Sequence, residues 1–304
     1  MTLTELRYVV AVADERNFSR AAERCFVSQP SLSASVKKLE EELGARLFER
    51  GAGDVLLTDV GAAVIAQARR VLDEAARVGA IAKARTDPLA GPLRLGVIHT
   101  VAPYLLPDLV LGLRQAARAM PLDIEENMTA NLDQMLRAGQ IDVAILALPY
   151  AAPGVETMPV YDETFRIVVP VGHPWARRKT VASCDLGTEN LLLLSIGHCF
   201  RDQVIDACSE FSRPVSGGKQ GNSLETLRSM VASGLGISVL PATALTPRHS
   251  SPLVRAVDFA DPKPSRRIVL AWRSDFPRQA AVRLLAQTIA KLDLPITPPA
   301  DAPG

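Results

Sequence analysis

The chain has 304 residues, 34 Lys and Arg against 33 Asp and Glu, and 48% apolar residues. At roughly 150 residues per domain this length fits about two domains. The apolar content excludes a wholly disordered chain, and the near-zero net charge excludes nucleic-acid binding by bulk charge. Four cysteines are too few for a disulfide scaffold. No apolar run approaches the ~18 residues that span a bilayer. Glu5, Asp14 and Glu15 interrupt the first turns, where a signal peptide needs a basic end and an apolar core. The expectation is a cytoplasmic protein without a membrane partner, in a compartment that keeps thiols reduced.

Residues 1 to about 58 read as short helices followed by a hairpin. Thr2-Leu3-Thr4-Glu5 has capping-box spacing, and Leu6, Val9, Val10 and Ala13 share one helical face. Asn17-Phe18-Ser19 breaks that helix, with Ser19 as the expected cap of a second helix running through Cys25. Ser28 caps a third, with Pro30 in its first turn, where a missing N–H does no harm. Leu32, Val36, Leu39 and Leu43 follow at helical spacing, and Gly44 is the stop. Leu47-Phe48-Glu49-Arg50 and Val55-Leu56-Leu57 flank Gly51-Ala52-Gly53-Asp54 as a two-stranded wing. The third helix exposes Pro30, Ser31, Ser33, Ala34, Lys37 and Lys38, short hydroxyls and lysines that suit base edges and phosphates in a major groove. Arg46 and Arg50 stand where a wing touches the flanking backbone, and Glu40-Glu41-Glu42 offsets the local lysines. A solvated three-helix bundle is the bland alternative.

Thr58 starts a long Ala- and Arg-rich helix that runs to about Thr86, where Asp87-Pro88 stops it. Val64, Ala68, Val71, Ala75, Val78 and Ala82 alternate at four and three, the spacing of a coiled-coil dimer seam. Packing on its own domain is the competing reading of the same stripe. From Pro92 the pattern becomes strand Leu93–Ile98, helix 101–119, strand 122–126, helix 132–138 and strand 142–148. A second unit follows: strand 164–170, strand 191–195, helix 201–211, helix 223–233 and strand 237–240, then strand 267–272 and helix 279–292. This order predicts parallel sheets with helices on their faces. Pro295–Gly304 is expected to fray.

Between the strand at Leu191 and the next helix lies Ser195-Ile196-Gly197-His198-Cys199-Phe200-Arg201-Asp202-Gln203, with Cys208 downstream. A cysteine at a helix start is favoured as thiolate by the helix N–H groups, with Arg201 as a nearby cation and His198 as a donor. Thiolates attack peroxide O–O bonds and give sulfenic acid, which a second thiol resolves. On one continuous helix nine residues put Cα atoms ~13 Å apart, beyond the ~7 Å limit of a disulfide. Joining Cys199 to Cys208 therefore demands refolding. The competing reading is an inert buried hydrophobe, which is the expectation for Cys25 and Cys184. The spacing matches no zinc pattern, so neither metal nor cofactor is expected.

Three stretches carry a family resemblance: Phe18-Ser19-Arg20-Ala21-Ala22, Ser28-Gln29-Pro30-Ser31-Leu32-Ser33, and the run from Leu39 to Arg50. They resemble the LysR-type transcriptional regulators, over essentially the whole chain. The resemblance implies a fold of class α/β with an all-α-rich winged helix–turn–helix N-terminal domain, and a regulatory part of two Rossmann-like, periplasmic-binding-protein-like subdomains. It implies domains at 1–58 for DNA binding, 59–90 for a dimerising linker helix and 91–304 for regulation. The latter divides into subdomain I, about 91–161 and 267–304, and subdomain II, about 162–266. Ser19, Pro30, Ser31, Ser33, Ala34, Lys37, Lys38 and Arg50 become the DNA-reading set.

Within that family the segment Gly197 to Gln203 with Cys208 is similar to the hydrogen-peroxide-sensing branch. So are Thr100-Val101-Ala102-Pro103-Tyr104, Leu132-Asp133-Gln134-Met135-Leu136 and Ser223-Leu224-Glu225-Thr226-Leu227-Arg228. The similarity implies Cys199 as the peroxidatic residue and Cys208 as the resolving one. It implies a peroxide pocket of Thr100, Thr129, His198, Arg201, Asp202 and Arg266. Asp142 and Arg273 match positions associated with RNA polymerase contact. Promoter DNA, RNA polymerase, a homodimer or homotetramer, and hydrogen peroxide as effector are the implied partners; enzymatic turnover is not implied. Two departures stand out: Ser195-Ile196 replaces the branch's usual acidic pair, and His99 precedes Thr100 where Pro is usual. The alternatives are a LysR-type regulator that binds a small organic effector between subdomains, with Thr100 and Thr129 holding its carboxylate, and a thiol peroxidase.

Overall fold

The computed structural model describes residues 1–50, 55–84, 87–207 and 220–299. Two compact units divide at Thr86 and Asp87. In the first, α1 (Leu3–Glu15) opens on the expected capping box: Thr2 accepts from the Glu5 N–H, and the Glu5 carboxylate accepts from the Thr2 N–H. Its buried face is Leu6, Val9 and Val12, with Val10 and Ala13 at the edge. The cap of α2 (Phe18–Arg24) is Asn17, not Ser19; its side-chain oxygen accepts from the N–H groups of Ser19 and Arg20. Asn is as good a cap as Ser, and the two-residue shift leaves Ser19 exposed in the first turn. Ser28 caps α3 (Gln29–Leu43) and Gly44 ends it. Leu32, Val36 and Leu39 are buried, whereas Leu43 is exposed.

Strands β1 (Phe48–Arg50) and β2 (Val55–Leu57) pair antiparallel; the turn expected at residues 51–54 lies outside the described residues. Thr58 accepts from the Gly61 N–H and starts α4 (Asp59–Ala84). Gly61 packs where a Cβ would meet the Leu47 carbonyl oxygen, so the helix lies directly on the wing. Ile65 and Ala68 are buried in the core of this unit, and Val64 and Val71 pack against it. Farther along, Val78 is 70% exposed. The stripe therefore covers its own domain at its start and is open at Val78.

The second unit begins with β3 (Leu93–Ile98), α5 (Ala102–Ala116), β4 (Leu122–Asn127), α6 (Thr129–Arg137) and β5 (Val143–Ala147). It continues with β6 (Val155–Pro170), β7 (Thr180–Val181), β8 (Leu191–Leu194) and α7, which the structure describes over Cys199–Ala207. Then come β9 (Gln220–Gly221), α8 (Leu224–Ala232), β10 (Ile237–Pro241), β11 (Val254–Phe259), β12 (Ser265–Arg273) and α9 (Gln279–Ile289). Strand order is β4-β3-β5-β12-β6-β10-β8-β9, with β11 between β6 and β7. The expected parallel pairing holds for β4-β3-β5 and for β10-β8-β9. It fails at the centre, where β12 and β6 run antiparallel to their neighbours. The first half of β6 escaped the sequence reading because Glu156, Pro159, Asp162 and Glu163 break its apolar pattern. The tail does not fray at Thr297, whose N–H and carbonyl both bond Asp162; residues 300–304 lie outside the description.

Strand β6 serves both halves of this unit. Residues 155–164 pair with β12, and residues 165–170 pair with β10 and β11. One core gathers side chains from Leu93 to Tyr161 and from Ile268 to Ile289; the other gathers Tyr104 and side chains from Phe165 to Phe259. At the crossing the fully buried side chains of Glu163 and Arg266 form an ion pair, with Nε at 2.8 Å and Nη2 at 2.7 Å from Oε1. Arg266 also donates to the Thr100 hydroxyl (2.7 Å) and carbonyl (3.0 Å), and Glu163 accepts from the Thr243 hydroxyl (2.7 Å). Substituting Glu163→Leu leaves the Arg266 charge buried without a counter-charge. Urea denaturation of the reduced protein should show a loss of about 3–5 kcal/mol; an unchanged midpoint would contradict the assigned role of the pair.

Candidate functional site

Three chain reversals at the ends of β3, β4 and β8 meet at one crevice. Its walls are Ile98, His99 and Thr100; Asn127, Met128 and Thr129; and Gly197, His198 and Cys199. Two of them are the first residues of helices, Thr129 of α6 and Cys199 of α7, and Thr100 stands just ahead of α5. Helix N-termini present free N–H groups and the positive ends of their dipoles, so this crevice favours negative charge. Gly197, at φ 102°, makes the turn that lifts Cys199 to the helix start, a backbone geometry that a side chain rarely permits. The space is enough for about one water-sized ligand. It opens beside a wider cleft that shares His99, Met128 and His198.

The Thr129 Oγ1 atom is buried and has no hydrogen-bond partner among the described residues. Buried hydroxyls are nearly always bonded, so this one is set for a ligand or water. Cys199 is partly buried against the first core. His198, only 6% exposed, faces His99 with ring centroids 5.7 Å apart. Burial, and then the nearby His99, hold the His198 imidazole below its ordinary pKa. It is neutral at pH 7, a donor rather than the cation that a thiolate site invites.

The remaining members of the expected set are distributed around this crevice. Arg266 stands behind Thr100, its charge matched by Glu163, and its guanidinium carbon lies 4.9 Å from the centre of the Phe200 ring. Arg201 turns away to the Leu194 carbonyl (2.9 Å), and Asp202 is exposed on α7. Cys208 lies outside the described residues. The sequence reading missed Asn127 and Met128 as wall residues, and it noted His99 only as a departure. The loop preceding a helix that starts at Thr129 was the available signal. Among the described residues no group of His, Cys, Asp or Glu is arranged to hold a metal.

Asp142 and Arg273, carried over as polymerase contacts, are both buried. Asp142 binds the Arg94 guanidinium (2.9 Å) and backbone N–H (3.0 Å), and Arg273 donates to the carbonyls of Leu136 and Ile141. In the first unit α3 exposes Gln29, Pro30, Ser31, Ala34 and Lys37, while Ser33 is half-buried. Gln29, overlooked in the sequence, stands beside Pro30 at the helix start. Lys38 reaches Glu5 on α1 (3.0 Å), and Lys37 lies near Glu41 (3.6 Å). Of the three glutamates, Glu40 accepts from the Leu47 N–H (2.6 Å), which fixes the entry to the wing. Arg46 is exposed; the side chain of Arg50 is outside the described set.

The state of His198 gives a pH prediction. The unfolded chain binds a proton at this residue below about pH 6.5, whereas the folded chain resists it. Stability therefore falls as pH drops from about 6.5 toward the lowered folded value, and is retained above it. His249, also lowered by burial, contributes in the same sense. Urea midpoints between pH 5 and 8 should show this slope, and His198→Gln should reduce it; an equal slope in the variant would rule out His198 as a source.

Comparisons with known proteins agree over the whole chain. The family described as bacterial regulatory helix-turn-helix protein, lysR family, matches residues 3–62, and the LysR substrate binding domain matches residues 86–293. The chain is 39% identical over 294 residues to the DNA-binding transcriptional dual regulator OxyR of Escherichia coli, covering 96% of each. It is similar to full-length OxyR of Pseudomonas aeruginosa, a Cys-to-Asp variant, at 47% identity and a TM-score of 0.77, over 96% of this chain and 99% of that one. A hydrogen-peroxide-bound cysteine variant of Corynebacterium glutamicum OxyR gives 34% identity and a TM-score of 0.67, over 95% and 92%. The chain belongs to the LysR family of transcriptional regulators, among its OxyR members.

Proposed function

We propose that the protein is a peroxide-responsive, DNA-binding transcriptional regulator with Cys199 as its sensor. The observation that carries this reading is Cys199 at the first position of α7, in a crevice sized for about one water-like molecule, beside a buried Thr129 hydroxyl with no partner among the described residues. A small hydroxylic molecule such as hydrogen peroxide suits this narrow space and the unpartnered hydroxyl. The thiolate attacks one oxygen, the O–O bond breaks, and sulfenic acid and water result. The Cys208 thiol then attacks the sulfenic sulfur, expels water and closes the disulfide.

The disulfide step is mechanical as well as chemical. Helix α7 runs from Cys199 to Ala207, the residue before Cys208. Its eight steps of ~1.5 Å span about 12 Å, well beyond the ~7 Å of a disulfide. Closure therefore unwinds α7. The helix carries Phe200, which is edge-on to Phe165 at 5.0 Å and faces Arg266. Unwinding withdraws that ring from the Glu163–Arg266 pair at the strand crossing. Oxidation is thus coupled to the place where the two regulatory cores are joined.

The remaining assignments extend the same reading. Residues 1–58 read DNA through Ser19, Pro30, Ser31, Ser33, Ala34, Lys37, Lys38 and Arg50. Residues 59–90 pair two copies, two pairs make a tetramer on promoter DNA, and RNA polymerase is the downstream partner. Subdomain I comprises about 91–161 and 267–304, and subdomain II about 162–266. The protein works in the cytoplasm, where cellular thiols reset it.

Mass spectrometry after mild peroxide treatment should find a loss of two hydrogens in the peptide pair containing Cys199 and Cys208. Cys199→Ser should abolish the response while operator binding by the reduced protein persists; a full response in that variant ends the thiol mechanism. Thr129→Val should slow oxidation of Cys199 by about tenfold, the effect of one lost hydrogen bond of roughly 1.4 kcal/mol. Stopped-flow rates equal to the parent's would remove Thr129 from the site.

A further inference from the structure

We propose that His99 and Glu126 form a proton-shuttling dyad that serves the Cys199 crevice. This rests on the sensor reading above and adds to it the route of the proton. His99 is the residue after β3 and lines the crevice directly; it also lines the adjoining cleft, with Glu126 and His198. Its Nδ1 lies 2.9 Å from Glu126 Oε1. That bond puts an N–H on Nδ1, where the carboxylate accepts it, and leaves the Nε2 lone pair free to take a proton. The arrangement is a carboxylate orienting an imidazole beside a sulfur nucleophile.

The surrounding charges decide which imidazole carries the proton. Facing His99 are Glu126 from β4, His198 from the turn before α7, and Glu225 at the start of α8 across the cleft. Behind Thr100, Arg266 and Glu163 offset each other. With ring centroids 5.7 Å apart, two imidazolium ions would repel. His198 is buried and makes no ion pair among the described residues, whereas His99 is half-exposed and bonded to a carboxylate. Of the two rings, His99 is therefore the one placed to accept the thiol proton.

The chemistry balances with this pair. Neutral His99 takes the thiol proton of Cys199 through the hydrogen-bonded occupant of the crevice. The thiolate electron pair forms the S–O bond to the nearer peroxide oxygen. The O–O bond breaks, and its electrons leave with the farther oxygen, which takes the proton back from His99 and departs as water. Thiol and hydrogen peroxide become sulfenic acid and water, and the dyad returns to its starting state. Glu126 holds the imidazolium during the interval.

The test is the rate of Cys199 oxidation by hydrogen peroxide in the reduced full-length protein, followed by rapid quench and mass spectrometry from pH 5.5 to 8.5. His99→Gln should slow the reaction at neutral pH by about tenfold or more, the low end of general acid–base effects, and flatten the profile. Glu126→Gln should shift the inflection to lower pH, because the imidazolium loses its counter-charge. Imidazole added to His99→Ala should restore part of the rate, a readout that a packing role would not give and that decides the matter if His99→Gln loses operator binding. Rates within about twofold of the parent at every pH, with no imidazole response, would overturn the dyad. That outcome leaves the sensor reading intact; absence of Cys199 oxidation in the parent protein sinks both.

Discussion

The regulatory half of this molecule is organised around one buried ion pair. Glu163 sits on β6, the strand that passes from one core to the other, and Arg266 on β12 beside it, and neither side chain is exposed. Two buried charges are costly unless each finds further partners. Here Arg266 takes the hydroxyl and carbonyl of Thr100, and Glu163 takes the hydroxyl of Thr243. The need to satisfy those groups fixes the β3–α5 turn, the end of β10 and the strand crossing relative to one another. The crevice inherits its precision from that requirement, since Thr100 is both a wall of the crevice and a ligand of the arginine.

The same pair explains why a short helix can report to the whole domain. Phe200 follows Cys199 and rests between Phe165 and the Arg266 guanidinium. A cation over an aromatic face contributes about 0.5–2 kcal/mol, and burial of the ring adds ~2 kcal/mol. Removing the ring takes that support from a pair whose cost is already high. Sulfur chemistry on one residue thereby reaches the strand crossing through a single neighbour in sequence.

Much of this was legible in the residues. The capping box at Thr2 and Glu5, the Ser28 and Pro30 helix start, and the Leu32–Val36–Leu39 face are local signals, and local signals survive folding intact. Cys199, Thr100 and Thr129 were found by resemblance, and the crevice brings them together. What escaped is non-local. The antiparallel centre of the sheet depends on pairing between residues about 100 apart in the chain, as at Glu163 and Arg266, which no short window can display. The acidic residues of β6 conceal a strand because their partners lie on another element. Arg201, Asp142 and Arg273 are each engaged by carbonyls or a counter-ion of the same fold, partners that lie on other elements and that a local window does not display.

Strand β6 belongs to both cores along its 16 residues. A connection of this kind differs from a flexible tether. A loop between two bodies lets them open freely and forgets the direction of the displacement. A continuous hydrogen-bonded strand resists bending but yields in twist, so the two cores can exchange only a small, directed rotation. Under the proposed sensing mechanism, a chemical event at Cys199 would therefore reach the second core as a change of angle, not of openness.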